Sequence, residues 1–381
     1  MAKRIVILGG GFGGIAAAHR LRALRPDDEV VLVDKGTHFM MGFRKTGVIV
    51  GRDTIEDGAR PLKALESFGI KVVQGAVTRI DPGARAAEVD GERLEGDALL
   101  VALGAETAPG SVAGLAEHGI DWYANDNAER GAAAFSSLEG GTVVVGIFGA
   151  PYKCPPAPFE FALLLEQAAR EAGKRLRFEI FTPLPSSLPV LGKAGCEAIE
   201  SRVQGMGIGF RREAKAARVE AGKVVLADGD EVGFDLLFAV PPHRVPSVVV
   251  DAGLAEQGGW IKPDPATLRA SFEGVWAVGD CTAIPMANGQ PMPKSGAFAE
   301  NAGTVAAEHI AALLAGSSSD ARFWGDGTCF LEVGDGEAMV VRGRFLAEGG
   351  PDVELTQPSE AFLREKHDFE QQRLAAWFGS P

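Results

Sequence analysis

Residues Gly9-Gly10-Gly11-Phe12-Gly13-Gly14 stand between a run of β-branched and aliphatic residues, Arg4 to Leu8, and a stretch with helical spacing, Ile15 to Leu24, which Pro26 closes. No other feature of the 381-residue chain restricts its folding as much. A strand that turns through glycines into a helix needs Gly9 for the tight turn, Gly11 so that backbone can approach a ligand, and Gly14 so that the helix lies close on the sheet. The amides at the helix start then face a pyrophosphate. Val30 to Val33 reads as the next buried strand, and Asp34 ends it twenty residues after Gly14, where an acidic side chain accepts ribose hydroxyls. The pattern predicts a βαβ dinucleotide unit with Gly9, Gly11, Phe12, Gly13, Gly14, Asp34 and Lys35 on the ligand.

Further short strands are expected at Val72 to Val73, Ala87 to Val89 and Ala98 to Leu103. A second βαβ-like unit starts at Thr142, with its helix near Glu160 to Ala172. Phe234 to Val240 and Val275 to Val278 read as strands, Ala299 to Leu314 as a helix, and Gly316-Ser317-Ser318-Ser319 as a linker. The expected fold class is α/β: two Rossmann-like domains of the glutathione-reductase type and a small C-terminal α+β cap. The expected boundaries are 1–110 with 262–320 for the dinucleotide domain, 111–261 for the second, and 321–381 for the cap.

A formal charge of −13 argues against a nucleic-acid partner, which needs a basic footprint. The apolar runs are far shorter than the ~20 residues that span a bilayer. A strand that begins within three residues of Met1 leaves no room for a secretion signal, so a cytoplasmic location is expected. Four cysteines without a C-x-x-C pair, and six histidines without zinc-ligand spacing, indicate neither a disulfide scaffold nor a metal site.

Two later segments separate FAD from NAD. Val275-Trp276-Ala277-Val278-Gly279-Asp280 resembles the second FAD motif of flavoproteins with two dinucleotide-binding domains, and Asp97-Ala98-Leu99-Leu100-Val101-Ala102-Leu103-Gly104 resembles their middle motif. The resemblance implies FAD, with Val77, Ala102, Gly104, Gly279 and Asp280 added to its site. The glycine turn of the second unit instead reads Gly146-Ile147-Phe148-Gly149-Ala150-Pro151-Tyr152-Lys153-Cys154-Pro155-Pro156. Prolines lack the N–H groups that cradle a pyrophosphate, and Ile147 and Phe148 are bulky. NAD(P)H is therefore not the expected electron donor.

Lys153-Cys154-Pro155-Pro156 enters a helix, and a helix N-terminus and a lysine both favour thiolate over thiol. This block resembles the active-site segment of sulfide:quinone oxidoreductases and of the flavoprotein subunit of flavocytochrome c sulfide dehydrogenases. Pro241-Pro242-His243-Arg244-Val245-Pro246 and Met292-Pro293-Lys294-Ser295-Gly296-Ala297 extend the likeness over nearly the whole chain. The resemblance implies that Cys154 joins Cys329 as a redox pair above the flavin, and that Lys294 and Gly296 lie near its pyrimidine end. Sulfide would attack the disulfide, and electrons would pass through FAD to a quinone. The third cysteine that quinone-reducing members commonly carry is absent between Met1 and Lys153, which is closer to the flavocytochrome pattern.

Glu160, six residues after Cys154, either takes a proton from the sulfur or sits in the first turn of a helix. His243 and His367 are weaker candidates, and Cys196 and Cys281 read as structural. Phe362, Phe369, Leu374, Trp377 and Phe378 outline a C-terminal amphipathic helix that touches a membrane peripherally, at the inner face of the plasma membrane, or packs on its own chain or a homodimer mate. The competing functions are a cytochrome-linked sulfide dehydrogenase, an NAD(P)H-dependent flavoprotein reductase, whose cysteine pair is missing from Phe39 to Val50, and an electron-carrying flavoprotein with dispensable cysteines.

Overall fold

The computed structural model describes residues 2–379. Its first sheet is parallel throughout, in the order Val275–Ala277, Ala98–Val101, Arg4–Leu8, Glu29–Asp34, Ile70–Gln74. The central strands are apolar along their whole length because both faces are covered. Ile5 and Ile7 pack under the helices Phe12–Leu24 and Gly296–Leu314, while Val6 and Leu8 point the other way, against Ile80, Val89 and Val249. Strand periodicity thus feeds two cores from one segment.

A second parallel sheet runs Ile120–Asp121, Leu236–Val240, Gly140–Ile147, Arg175–Phe181, Gly209–Arg211. The helix Ala157–Glu171 covers it with Phe159, Phe161 and Leu163, all fully buried. The last layer is an antiparallel sheet of Asp326–Gly334, Glu337–Arg344 and Asp352–Leu355, followed by the helix Glu360–Phe378. In parallel α/β sheets ligands gather at the carboxyl ends of the strands. Leu8, Asp34, Val101, Ala277 and Ile147 end such strands here.

Element limits depart from the sequence expectation where glycines intervene. The first helix starts at Phe12 and the long later helix at Gly296, each three residues before the expected start, since Gly13, Gly14 and Gly296 carry no side chain to signal periodicity. The strand from Ala98 stops at Val101, because Gly104 turns the chain away at φ +67°. On the C-terminal helix Leu374 and Trp377 are buried in the core of the first sheet, and Trp377 meets Phe12 and Phe39 edge-on with centroids 5.5 Å from each. Phe362, Phe369 and Phe378 of the same apolar stripe stay half-buried. Among the described residues no helix is long and apolar enough to cross a membrane.

Candidate active site

The glycine turn is built for close approach. Gly9 has φ +112°, and a Cβ there would stand 2.2 Å from the Ala102 carbonyl oxygen; one on Gly14 would stand 1.9 Å from that of Gly9. A Cβ on Gly11 would meet nothing within 4 Å, and no side chain caps the helix that follows. Open space over uncapped amides suits a phosphate. Asp34 accepts the Gly10 N–H at 2.6 Å and the Gly36 N–H at 2.7 Å, so the turn and the carboxylate brace each other. Lys35 is exposed, and its Nζ lies 3.9 Å from Glu106. Val77 opens a strand of the small antiparallel sheet, half-buried.

Asp280 lies at the far side, after the strand Val275–Ala277 and Gly279, whose φ is +76°. Burial raises its carboxyl above the usual range, against Lys294 and Lys153, and no protein donor reaches it among the described residues. A half-buried acid with no protein donor, lining the cavity between two glycine segments, fits the hydroxyl-rich linker of FAD. The residues present therefore fit FAD: Gly11 and the helix start for the pyrophosphate, Asp34 and Asp280 for hydroxyls. Lys294, 5% exposed, turns its Nζ onto the carbonyl oxygens of Asp280 and Thr282, each at 2.8 Å, with the Trp260 ring centroid 3.6 Å away. Burial pushes its ammonium down to about 8, with Asp280 pulling back.

A cavity of about 300 Å³ opens from Phe12, Asp280 and Gly296 to both Cys154 and Cys329. The two cysteines are 175 residues apart in sequence, yet they are tied to successive residues of one loop: the Cys154 N–H donates to the Lys294 carbonyl at 2.8 Å, and the Cys329 thiol donates to the Ser295 hydroxyl at 3.3 Å. Cys329 sits on the strand Asp326–Gly334. Cys154 has φ +49°, a left-handed conformation uncommon for a residue with a Cβ and frequent where chains present functional groups. Both thiols are free.

The expectation that Lys153 and the helix start favour the Cys154 thiolate is corrected here. The thiol is exposed to the cavity, but the walls keep it from bulk water, and that burial raises it above the usual thiol range; a charge on Cys329 or Glu160 adds to the rise, while Lys366 and the Ala157 N–H oppose it. Lys153 reaches instead toward the Ala105 carbonyl, 3.5 Å away. Burial likewise raises Cys329, with the Ser295 hydroxyl opposing.

Glu160 satisfies both of its readings, standing in the first helical turn and on the cavity wall. Its oxygens are taken, one by the Glu332 N–H at 2.7 Å, the other by Lys366 Nζ at 3.1 Å. Lys366 also meets Glu332 at 3.2 Å, and Glu332 meets Arg52 at 2.6 Å. Burial raises Glu160; it opposes ionisation of Glu332 too, but Lys366 and Arg52 outweigh it and leave that carboxyl low.

His243 packs edge-on to Tyr123 and is pushed down to about 3 by burial and then by Lys153, so it is neutral at physiological pH. His367 is exposed. Cys196 and Cys281 are buried in packed cores, their thiols turned to the carbonyls of Leu188 and Val278 at 3.1 and 3.3 Å. Sequence reasoning missed Lys45, Tyr123 and Lys366, which line the cavity but belong to no motif; Ser295 lay inside a motif read only for its lysine and glycine.

The turn of the second sheet differs from the first. A Cβ on Gly146 would lie 2.6 Å from the Phe181 ring and 2.8 Å from that of Phe148, and one on Gly149 would lie 3.2 Å from Pro242. Gly146 lies inside the strand Gly140–Ile147, and the segment from that strand to the helix Ala157–Glu171 carries Pro151, Pro155 and Pro156, which lack N–H donors. Among the described residues no cluster of His, Cys, Asp and Glu is placed to hold a metal.

A family model for pyridine nucleotide-disulphide oxidoreductases matches residues 3–303. The chain is 27% identical to the sulfide-quinone reductase of Aquifex aeolicus, over 81% of this chain and 76% of the relative. It is 24% identical to the mitochondrial sulfide:quinone oxidoreductase of Mus musculus, over 74% of this chain and 66% of that one. The solved structure of the Aquifex aeolicus sulfide:quinone oxidoreductase superposes with a TM-score of 0.89 at 24% identity, covering 99% of this chain and 92% of the other. A type II NADH:quinone oxidoreductase of Staphylococcus aureus matches at 23% over 89% of this chain and 90% of that one.

Proposed function

The chain belongs to the pyridine nucleotide-disulphide oxidoreductase family and is an FAD-dependent oxidoreductase, and from that premise we propose that it oxidises sulfide through Cys154 and Cys329 and delivers the electrons to a quinone. The observation that carries this reading is the shared cavity: both cysteines line it, and both are tied to the Lys294-Ser295 loop beside Asp280. Fold alone would not suffice, because one fold hosts many activities.

In the proposed step, HS⁻ adds to one sulfur of a Cys154–Cys329 disulfide and the S–S bond breaks, leaving a persulfide on one cysteine and a thiolate on the other. Reforming the disulfide releases sulfane sulfur, a proton and two electrons. FAD, when bound, supplies the two-electron acceptor. The proposed proton acceptor is Glu160, which burial raises and which stands on the same cavity wall, held by Lys366. The Ser295 hydroxyl steadies the Cys329 sulfur.

Two relatives named for sulfide support this donor, and the prolines of the turn after Ile147 disfavour the NADH of the Staphylococcus aureus relative. The test is anaerobic flavin reduction followed by absorbance. We expect sulfide to bleach the wild-type protein. Cys154→Ser and Cys329→Ser should each keep FAD and lose the rate by orders of magnitude, since serine cannot exchange with a disulfide. Wild-type rates in both variants would remove the cysteine mechanism.

A further inference from the structure

A buried lysine in a folded protein normally faces a carboxylate, because an unpaired ammonium in a poor solvent is costly. Lys366 follows that rule, with Glu160 and Glu332 around it. Lys45 does not. It is 8% exposed, on the short helix Arg44–Ile49, and its Nζ donates to the Tyr123 carbonyl at 2.6 Å, with no carboxylate in ion-pair reach among the described residues. An ammonium carries three donors, and one carbonyl occupies one of them.

The same Tyr123 also holds the cysteine loop, its hydroxyl donating to the Cys154 carbonyl at 3.4 Å. Lys45, Tyr123 and Cys154 line one cavity, and a single buried residue holds the lysine through its carbonyl and the backbone of Cys154 through its hydroxyl. Burial and then Lys153 disfavour the ammonium; Asp121 and a charge on Cys154 favour it less, and neither is in ion-pair reach. Asp121 spends its carboxylate on the Thr107 hydroxyl at 2.6 Å and the Tyr123 N–H at 3.1 Å. Arg44, next in sequence, is turned to Glu370 and Asp53. Glu129 and Arg130 on the neighbouring helix, and Glu56 and Asp57 on the adjoining turn, are exposed. Lys153 repels, and Glu160 is bound to Lys366.

We infer that Lys45 holds a small sulfur anion beside Cys154 and is protonated as that anion enters. The sulfur identity of the anion rests on the sulfide reading above; the anion site itself does not. Hydrogen sulfide entering as the neutral acid gives its proton to the neutral amine, so HS⁻ and an ammonium are left face to face and no other reactant is consumed. Burial, helped by Lys153, brings the free amine down to about 7, which lets it change charge near neutrality. The ammonium then lowers the cost of bringing a second negative sulfur toward the cysteines.

Thiocyanate, a small unreactive anion, tests the site in the FAD-loaded protein through the perturbation of the flavin absorption band. Binding raises the amine's affinity for its proton, so affinity should be full below about pH 7 and fall by about tenfold per unit above it. Lys45→Arg should keep the affinity but lose its fall above pH 7, because a guanidinium stays charged. Lys45→Met, checked for retained FAD, should lose binding throughout. The inference is overturned if wild-type protein binds no thiocyanate at pH 6, if Lys45→Met binds as wild type does, or if Lys45→Arg keeps the pH dependence, which would assign it to Lys294. A sulfide arm separates the two readings. Wild-type protein that binds thiocyanate as stated but is not bleached by sulfide keeps the anion site and loses the sulfide function; wild-type bleaching unchanged in Lys45→Met sinks the Lys45 role alone.

Discussion

Gly11 is the residue whose substitution separates folding from ligand binding most cleanly. Its missing Cβ points into open space, whereas a Cβ on Gly9 or Gly14 would strike backbone oxygen within 2.2 Å. Gly11→Val should therefore fold with near wild-type stability but emerge colourless, because the valine methyls occupy the pyrophosphate's approach. The ratio of flavin to protein absorbance measures this, and full flavin content in a folded Gly11→Val would displace the pyrophosphate from this turn. The neighbouring Asp34 was legible as an acid at the end of a strand; that it also clamps the Gly10 and Gly36 amides was not, since those hydrogen bonds depend on how the turn closes.

At the scale of elements, the C-terminal helix Glu360–Phe378 is fastened in two ways. Trp377 and Leu374 enter the core of the first sheet, and Lys366 enters the ion cluster that joins this helix to the helix Ala157–Glu171 and to the strand bearing Cys329. Lys366→Met leaves Glu160 and Glu332 facing each other in a buried site, where removing one partner of such a pair costs about 3–5 kcal/mol. Urea unfolding should report a loss of that order, and Lys366→Met with Glu160→Gln should recover part of it. A double variant no more stable than the single would mean that the two carboxylates do not repel. The aromatic spacing of this helix was readable, but what it faces was not: Trp377 packs on Phe12 and Phe39 within the chain, while Phe362 and Phe369 stay half-buried.

For the whole molecule, the two parallel sheets present similar turns with opposite consequences. The first leaves an open cradle at Gly11, and the second leads from its strand into its helix through Pro151, Pro155 and Pro156. NADH at micromolar concentration should therefore leave the flavin oxidised under anaerobic conditions that allow bleaching by sulfide. Rapid reduction by NADH would show that the second turn opens, and would place the protein with the NADH-dependent relative. The cavity between Asp280 and the cysteines is where the carboxyl-terminal ends of strands from the first sheet meet the loop that leaves the second.

Local chemistry determined the first strand-turn-helix unit and the dinucleotide, because each rests on neighbouring residues whose backbone demands are written in their side chains. Glycine permits approach, proline removes donors, and alternating apolar residues mark a buried strand. Only the tertiary structure decided what depends on residues far apart in sequence. Cys154 and Cys329 are tied to one loop at Lys294 and Ser295, burial raises the Cys154 thiol, and Lys45 stands in the cavity with no carboxylate in reach among the described residues. Desolvation and charge pairing depend on everything within a few ångströms in space, and folding draws those neighbours from the whole chain.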